Sequence, residues 1–404
     1  MSGLAQEAVG TRGRRPRADR IVGIDVARGI ALITMASTHM LSTHSDPTEM
    51  TAVGWLFSGR ASSLFALLAG VSLAIVTGGT APREGLAMRR ARVTIAVRAC
   101  VIALIGLLLA MTDTPVAVIL AYYGVYFLLA IPFLRLPART LFVLAAVWAV
   151  VSPLVSHVVR GRLPDPPLGQ VDVEMLLTDP FTALHALLFT GYYPAFTWLT
   201  YILAGLAVGR CDLRSRANAV RLAVVGAVLA VGAWTASTLL LVAGGADRIV
   251  PDLLELRGIG AMDLQQIQYV AGTTPTGNAS WLLIAAPHSG TPFDLVGTTG
   301  SALCVLGLCL LLVRSSAMRT ITAPVAAAGA MTLTLYTCHV VLLALPIGEF
   351  DSAVYYLSHV AFFLIAPMLW FRIAPKGPIE SLVHEISSGI GRAAVPTGPP
   401  GPRE

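Results

Sequence analysis

The residues best suited to chemistry lie in and beside apolar runs. Asp25, Arg28, His39 and His44 fall within or just after one such run, Arg20-Ile-Val-Gly-Ile-Asp25-Val-Ala-Arg28-Gly29-Ile-Ala-Leu, which continues to Thr38-His39. An ionisable group at a bilayer centre costs at least about 2.5 to 3.5 kcal/mol, so such groups are seldom idle there. Two more histidines follow: His288 in Pro287-His-Ser-Gly-Thr-Pro-Phe293, and His339 in Met331-Thr-Leu-Thr-Leu-Tyr336-Thr-Cys-His339. Imidazole titrates near neutrality and is a natural proton acceptor. A base near the outer surface can deprotonate an external hydroxyl or amine while that group attacks an acyl donor.

Each residue also has a plainer reading. His39 could bond a backbone carbonyl, His44 could be loop-exposed, and His339 could join Thr332, Thr334 and Tyr336 in a buried network. None of the four histidines has a His or acid three or four residues away, so no metal site is expected. His157, His185, His359 and His384 are read as structural. Asp25 and Arg28 are three apart on one helix face and can pair. The alternative is that Arg28 and Arg60 meet an anionic group entering the bundle, since a guanidinium grips phosphate in bidentate fashion. The aromatics from Tyr192 to Tyr201 form either an interfacial belt or a stacking surface for a ring.

Membrane spans must position these groups. Of the 404 residues, 55% are hydrophobic and only 12% charged, with a mean hydropathy of +0.74. A soluble domain carries about 25% charge. The pattern therefore predicts an all-α, polytopic membrane helix bundle. About ten apolar stretches reach spanning length: 22–42, 55–77, 94–112, 115–134, 140–158, 193–210, 219–243, 292–313, 323–347 and 353–372. Arg clusters alternate between the connecting segments, and the positive-inside bias places both termini in the cytoplasm. The expected location is the inner or plasma membrane. The expected organisation is a basic disordered cytoplasmic tail over 1–20, a transmembrane domain over 21–375, and a cytoplasmic tail over 376–404. That last tail holds a short amphipathic helix near 379–390 and a disordered Pro/Gly-rich end. Short helices are expected over the outer mouth within 159–192 and 244–291.

The net charge of +6 is this topology signal and predicts no nucleic-acid partner. Five cysteines without a CxxC pair predict neither a disulfide framework nor zinc. The single Lys376 beside an otherwise all-arginine basic set suggests the codon usage of a GC-rich, actinobacterial genome.

The motifs resemble a known family. Arg20-x4-Asp25-x2-Arg28-Gly-Ile-Ala-Leu, then Gly59-Arg60 leading into Leu64-Phe-Ala-Leu-Leu-Ala-Gly70-Val-Ser, resembles the start of the heparan-alpha-glucosaminide N-acetyltransferase catalytic domain family, bacterial relatives of unknown function included. Thr334-Leu-Tyr336-x2-His339-Val resembles its late-span signature. His288-Ser-Gly-Thr-Pro-Phe293 is similar to a bacterial member's motif, and Gly377-Pro-Ile-Glu380 to the Gly-Pro-Leu-Glu that closes many bacterial relatives. The resemblance implies about ten or eleven spans. It also implies acetyl transfer from cytosolic acetyl-CoA to an acceptor on the far side. The animal enzyme carries an asparagine and then a histidine after its Arg-Gly motif. Direct counting puts His39 at that asparagine, and His44 matches that histidine if a gap is allowed.

Together these readings predict a membrane acyltransferase using acetyl-CoA or another acyl-CoA. His44 or His39 would be the general base, with His288 or His339 orienting the acceptor or stabilising the oxyanion. Asp25, Arg28, Arg60 and Tyr336 would receive the donor. The expected partners are membrane lipids and an extracytoplasmic glycan or lipid acceptor, with a homodimer allowed for. The alternative is a transporter or exporter of a small polar solute, with the buried charges as its binding site.

Overall fold

The computed structural model describes residues 20–46, 49–164, 169–257, 272–345 and 352–396. The tails expected at 1–19 and 397–404 lie outside the described residues. The chain is mostly helical. This follows from its long Ala, Leu, Val and Ile runs, because in a bilayer each backbone N–H and C=O must be satisfied internally. Among the described residues the strands are confined to one small hairpin, β1 (His44–Asp46) antiparallel to β2 (Glu49–Met50).

Twelve helices carry the argument. They are α1 (Val22–Met40), α2 (Arg60–Val76), α3 (Gly85–Ala110), α4 (Leu120–Ala130), α5 (Ala138–Arg160) and α6 (Ala195–Gly209). After them come α7 (Arg216–Leu240), α8 (Pro292–Leu312), α9 (Ala323–Gly329), α10 (Thr332–Ala344), α11 (Ser352–Trp370) and α12 (Pro378–Ala394).

Among the described residues six helical stretches are long and apolar enough to cross a membrane: Ala52–Val76, Gly85–Ala110, Ala138–Arg160, Arg216–Asp252, Pro292–Leu312 and Ser352–Trp370. The pair α9 and α10 makes a seventh if taken as one span broken by a 79° bend. Each stretch expected to span contains a helix within its described residues, but three of them fall outside both the six and the bent pair. Asp25, Arg28 and His39 lower the hydropathy of α1, while the helices Leu120–Arg135 and Ala195–Gly209 are short. Short helices lie where the long loops were expected to have them, at Val173–Thr178, Pro180–His185 and Ala246–Arg257.

Helix α6 is the centre of the bundle. Every residue in it except Phe196 is buried. It packs along α2 and α5, and α7 packs along α8. The α2–α6 crossing is close because glycines meet there: a Cβ on Gly205 would stand 2.0 Å from the Leu67 carbonyl oxygen. Small residues let helix backbones approach in this way, which is how apolar helices gain packing energy in lipid. The α1–α9 crossing is closer still, with a Cβ at Gly329 falling 1.7 Å from the Asp25 carbonyl oxygen.

The C-terminal helix α12 does more than rest on a surface. Its Val383, Ser387 and Gly391 are buried as it packs along α3, and a Cβ on Gly391 would meet Thr94. Leu382, Ile386 and Ile390, one residue before each of these, form an exposed apolar stripe on the adjoining face.

Candidate functional site

The first group lies where α1 begins. Asp25 is buried and takes two guanidinium contacts: Arg20 Nε at 2.5 Å and Arg28 Nη1 at 3.2 Å. The i, i+3 pair expected from spacing is therefore present. Arg28 Nη2 donates to Ser72 Oγ on α2 at 2.5 Å. Arg98, from α3, comes within electrostatic reach of Arg28. Two like charges held close need an anion between or beside them: Asp25, shared with Arg20, serves Arg28, and the Glu380 carboxylate lies within electrostatic reach of Arg98. Tyr123 on α4 stands within reach of both Arg28 and Tyr336, and its buried hydroxyl has no hydrogen-bond partner among the described residues. The Tyr336 hydroxyl accepts from Ile119 N at 3.2 Å.

The second group lies toward the end of α1. His39 Nδ1 and His339 Nε2 are 3.1 Å apart, with ring planes 13° from parallel. The helices that hold them are 300 residues apart in the chain. His339 is fully buried, and its edge meets the face of His359 at a centroid distance of 5.2 Å. His359 Nδ1 lies 3.1 Å from its own helix's Tyr355 carbonyl.

His288 is the third member, at the turn before α8. It is nearly buried and adopts a positive φ of 61°. A non-glycine residue in that region carries strain of order 1–3 kcal/mol, which the surroundings must hold in place. An aromatic box does so: Trp198 stacks on the imidazole at 5.9 Å and 5°, with Tyr192 at 4.6 Å and Tyr193 at 5.4 Å. His288 stands within electrostatic reach of His39. Beside the two readings of the Tyr192–Tyr201 aromatics, the structure adds a third role, in which Tyr192, Tyr193 and Trp198 build walls around a histidine.

Behind Tyr192 opens a cavity of about 520 Å³, lined by Val118, Tyr122, Gln170, Thr190, Gly191 and Tyr192 among others. Gln170 shapes its rim by accepting from Val118 N at 2.6 Å and donating to the Val116 carbonyl at 3.0 Å.

Two expected site residues stand apart. His44 sits in β1, with Nδ1 at 3.1 Å from Thr43 Oγ1. Among the described residues it contacts none of the other three histidines. Arg60 opens α2 at the far end from Arg28, which lies about 18 Å of helical rise before the end of α1. Arg60 donates to the Trp55 carbonyl at 2.5 Å and faces Asp294 across a small pocket. Asp294 Oδ2 in turn accepts from Gly290 N at 3.0 Å, beside His288. Arg28 and Arg60 therefore cannot grip the same phosphate.

Arg98 and His359 join the site although sequence reasoning does not single them out: Arg98 is one of many arginines in the clusters that set the topology bias, and His359 is read as structural, yet a depth count finds it. His339 lies five residues before the end of α10 and His359 seven after the start of α11, roughly 8 and 10 Å of rise from the segment that joins them. Among the described residues no group of three His, Cys, Asp or Glu is arranged to hold a metal ion.

A polytopic helical membrane protein with an interior lined by histidine and arginine is what fold and site define. The chain belongs to the heparan-alpha-glucosaminide N-acetyltransferase catalytic family, whose model matches residues 20–241. That is a family of membrane acetyltransferases. The match contains Arg28, His39, Arg60 and Arg98, while His288, Tyr336, His339 and His359 lie beyond it. No individual curated protein matches the chain.

Proposed function

We propose that the protein moves an acyl group, acetyl in the first instance, from cytosolic acyl-CoA to an extracytoplasmic glycan, lipid-linked sugar or related acceptor in the cell envelope. The proposed topology has ten membrane segments with both termini in the cytoplasm. The observation that carries the reading is the His39–His339 pair, with His288 within electrostatic reach of His39; the cavity behind Tyr192 borders the His288 side through the Tyr192–His288 ring contact. Arg28 and Arg98 suit the phosphates of the donor at one end of the bundle. Tyr123, Tyr336 and Tyr193 lie along the way between them and His288, within mutual electrostatic reach.

The chemistry follows from which nitrogens are engaged. His39 Nδ1 and His339 Nε2 face each other; in the proposed tautomer His39 Nδ1 carries the shared proton and His339 Nε2 accepts it, so that His39 Nε2 is unprotonated. His39 Nε2 is then left to face a substrate, while the buried His339 Nδ1 has no partner among the described residues. In this reading His39 Nε2 takes the proton from the acceptor hydroxyl or amine as its lone pair attacks the thioester carbonyl. The carbonyl electrons move to oxygen, return as the C–S bond breaks, and CoA leaves as thiolate to recover a proton. A positioned base of this kind typically contributes about 10² to 10⁴ in rate. An N–H from the His288 turn or its imidazole would stabilise the oxyanion.

Protein in nanodiscs with acetyl-CoA and an envelope glycan or lipid extract tests this. Release of free CoA that depends on the extract is expected. Binding or movement of a solute with no acyl-CoA consumed would instead support the second reading, a transporter or exporter. The observation favouring that alternative is the broken span α9–α10, since interrupted helices often build solute sites.

A further inference from the structure

The break between α9 and α10 is held by a residue from the far end of the chain. Glu380, in the first turn of α12, aims its carboxylate at the start of α10. Its Oε1 accepts from Leu333 N at 2.8 Å and from Thr334 N at 3.1 Å, and its Oε2 accepts from Thr334 Oγ1 at 2.5 Å. Thr334 Oγ1 also accepts from Ile379 N at 3.1 Å, tying the two helix starts together. The first N–H groups of a helix lack partners and form its positive end, so a carboxylate there meets both needs. Met331, the residue before α10, supplies no side-chain cap of its own. The turn ahead of α12 leaves room for this: a Cβ on Gly377 would stand 2.1 Å from Glu380 Oε2 and 2.7 Å from Met331 Cγ.

What α10 carries makes the clamp consequential. Tyr336 reaches Ile119, and His339 meets His39 at 3.1 Å and packs on His359. A slip of one residue along α10 would shift His339 by about 1.5 Å and turn it by about 100°. Either movement breaks the imidazole contact. Glu380 also lies within electrostatic reach of Arg98. The same carboxylate therefore touches the histidine side through α10 and the arginine side through space.

We infer that Glu380 is a positioning residue whose carboxylate sets the register of α10 and thereby holds Tyr336 and His339 in place. The effect on turnover rests on the acyltransferase reading, whereas the clamp itself does not. Full-length protein in nanodiscs, as wild type, Glu380→Gln, Glu380→Asp and Gly377→Ala, is compared by amide hydrogen exchange and by CoA-release kinetics with acetyl-CoA. In Glu380→Gln the amides at the start of α10 should exchange faster while those of α6 stay as in wild type. Turnover should fall on the order of 10²-fold, the scale of a displacement of about 1 Å. The KM for acetyl-CoA should not rise, because removing a negative charge near Arg98 favours an anionic donor. Glu380→Asp should recover part of both readouts, and Gly377→Ala, which keeps the carboxylate but displaces it, should lose them. Unchanged exchange at α10, or losses of kcat together with a raised KM that simply track lower thermal stability, would overturn the inference. If Glu380→Gln does not fold, the Asp and Gly377 variants decide it on the same criteria. If wild-type protein releases no CoA with any acceptor, the acyltransferase reading fails, and the exchange at α10 alone decides the clamp.

Discussion

At the scale of single residues, the arrangement separates groups that looked alike. Among the histidines, His39→Ala should fold normally and lose about 10² to 10⁴ in CoA-release rate. His44→Ala, whose ring bonds its neighbour Thr43, should retain near-wild-type turnover. Equal losses in both variants would move the base out of the His39–His339 pair. The arginines divide in the same way. Arg98→Ala should raise the KM for acyl-CoA by about tenfold, the worth of one charge-assisted hydrogen bond of roughly 1.5 kcal/mol. Arg60→Ala should leave that KM unchanged, because Arg60 faces Asp294 at the other end of the bundle. Titrating each variant against acetyl-CoA under steady-state conditions reads both outcomes. Much of this was legible beforehand. The spacing of Asp25 and Arg28 gave their pairing, and helical rise gave the depth of His39 and His339. What depth cannot give is direction around a helix axis. The meeting of His39 with His339, and of His339 with His359, depends on how α1, α10 and α11 turn toward one another, and that is set by packing.

At the scale of elements, the glycine contacts determine how close the helices come. Gly329→Ala places a methyl group against the Asp25 carbonyl, where only 1.7 Å is open, and should destabilise by about 3 kcal/mol. Gly232→Ala is the contrast, since nothing stands within 4 Å of its added Cβ. It should be neutral or gain up to about 1 kcal/mol from helix propensity. Thermal unfolding followed by intrinsic fluorescence distinguishes the two, and equal melting temperatures would contradict the α1–α9 crossing. The apolar runs are readable as helices because most are long, although two form short helices and one is broken. The bend between α9 and α10 is not readable, because Gly329-Ala-Met331 carries no proline and resembles many straight helices. The partner that makes the bend stable, Glu380, lies nearly fifty residues downstream, and no local pattern could connect the two.

At the scale of the whole molecule, topology and donor binding are the open quantities. Reporter fusions at Gly78 and Ala217 should read cytoplasmic, and those at Gly169 and Gly260 external. An external reading at Ala217 would overturn the second half of the proposed topology. A bound donor should also stabilise the fold, by about 2.7 kcal/mol at a hundred times its Kd. A rise in melting temperature with acetyl-CoA and none with inorganic phosphate would show that more than the phosphates is recognised. No rise with any acyl-CoA would count against donor binding.

The burial of α6 has a consequence for how the protein is made. Fifteen residues give about 22 Å of rise, short of the roughly 30 Å hydrocarbon core, and all but one of them face protein. Such a segment has little reason to leave the insertion machinery for lipid by itself. It needs α2 and α5 already waiting, and both precede it in the chain. Synthesis therefore delivers the walls before the pillar, and α6 can be received by neighbours as it emerges. A chain with α2 and α5 deleted should leave α6 uninserted, even though the sequence of α6 is unchanged.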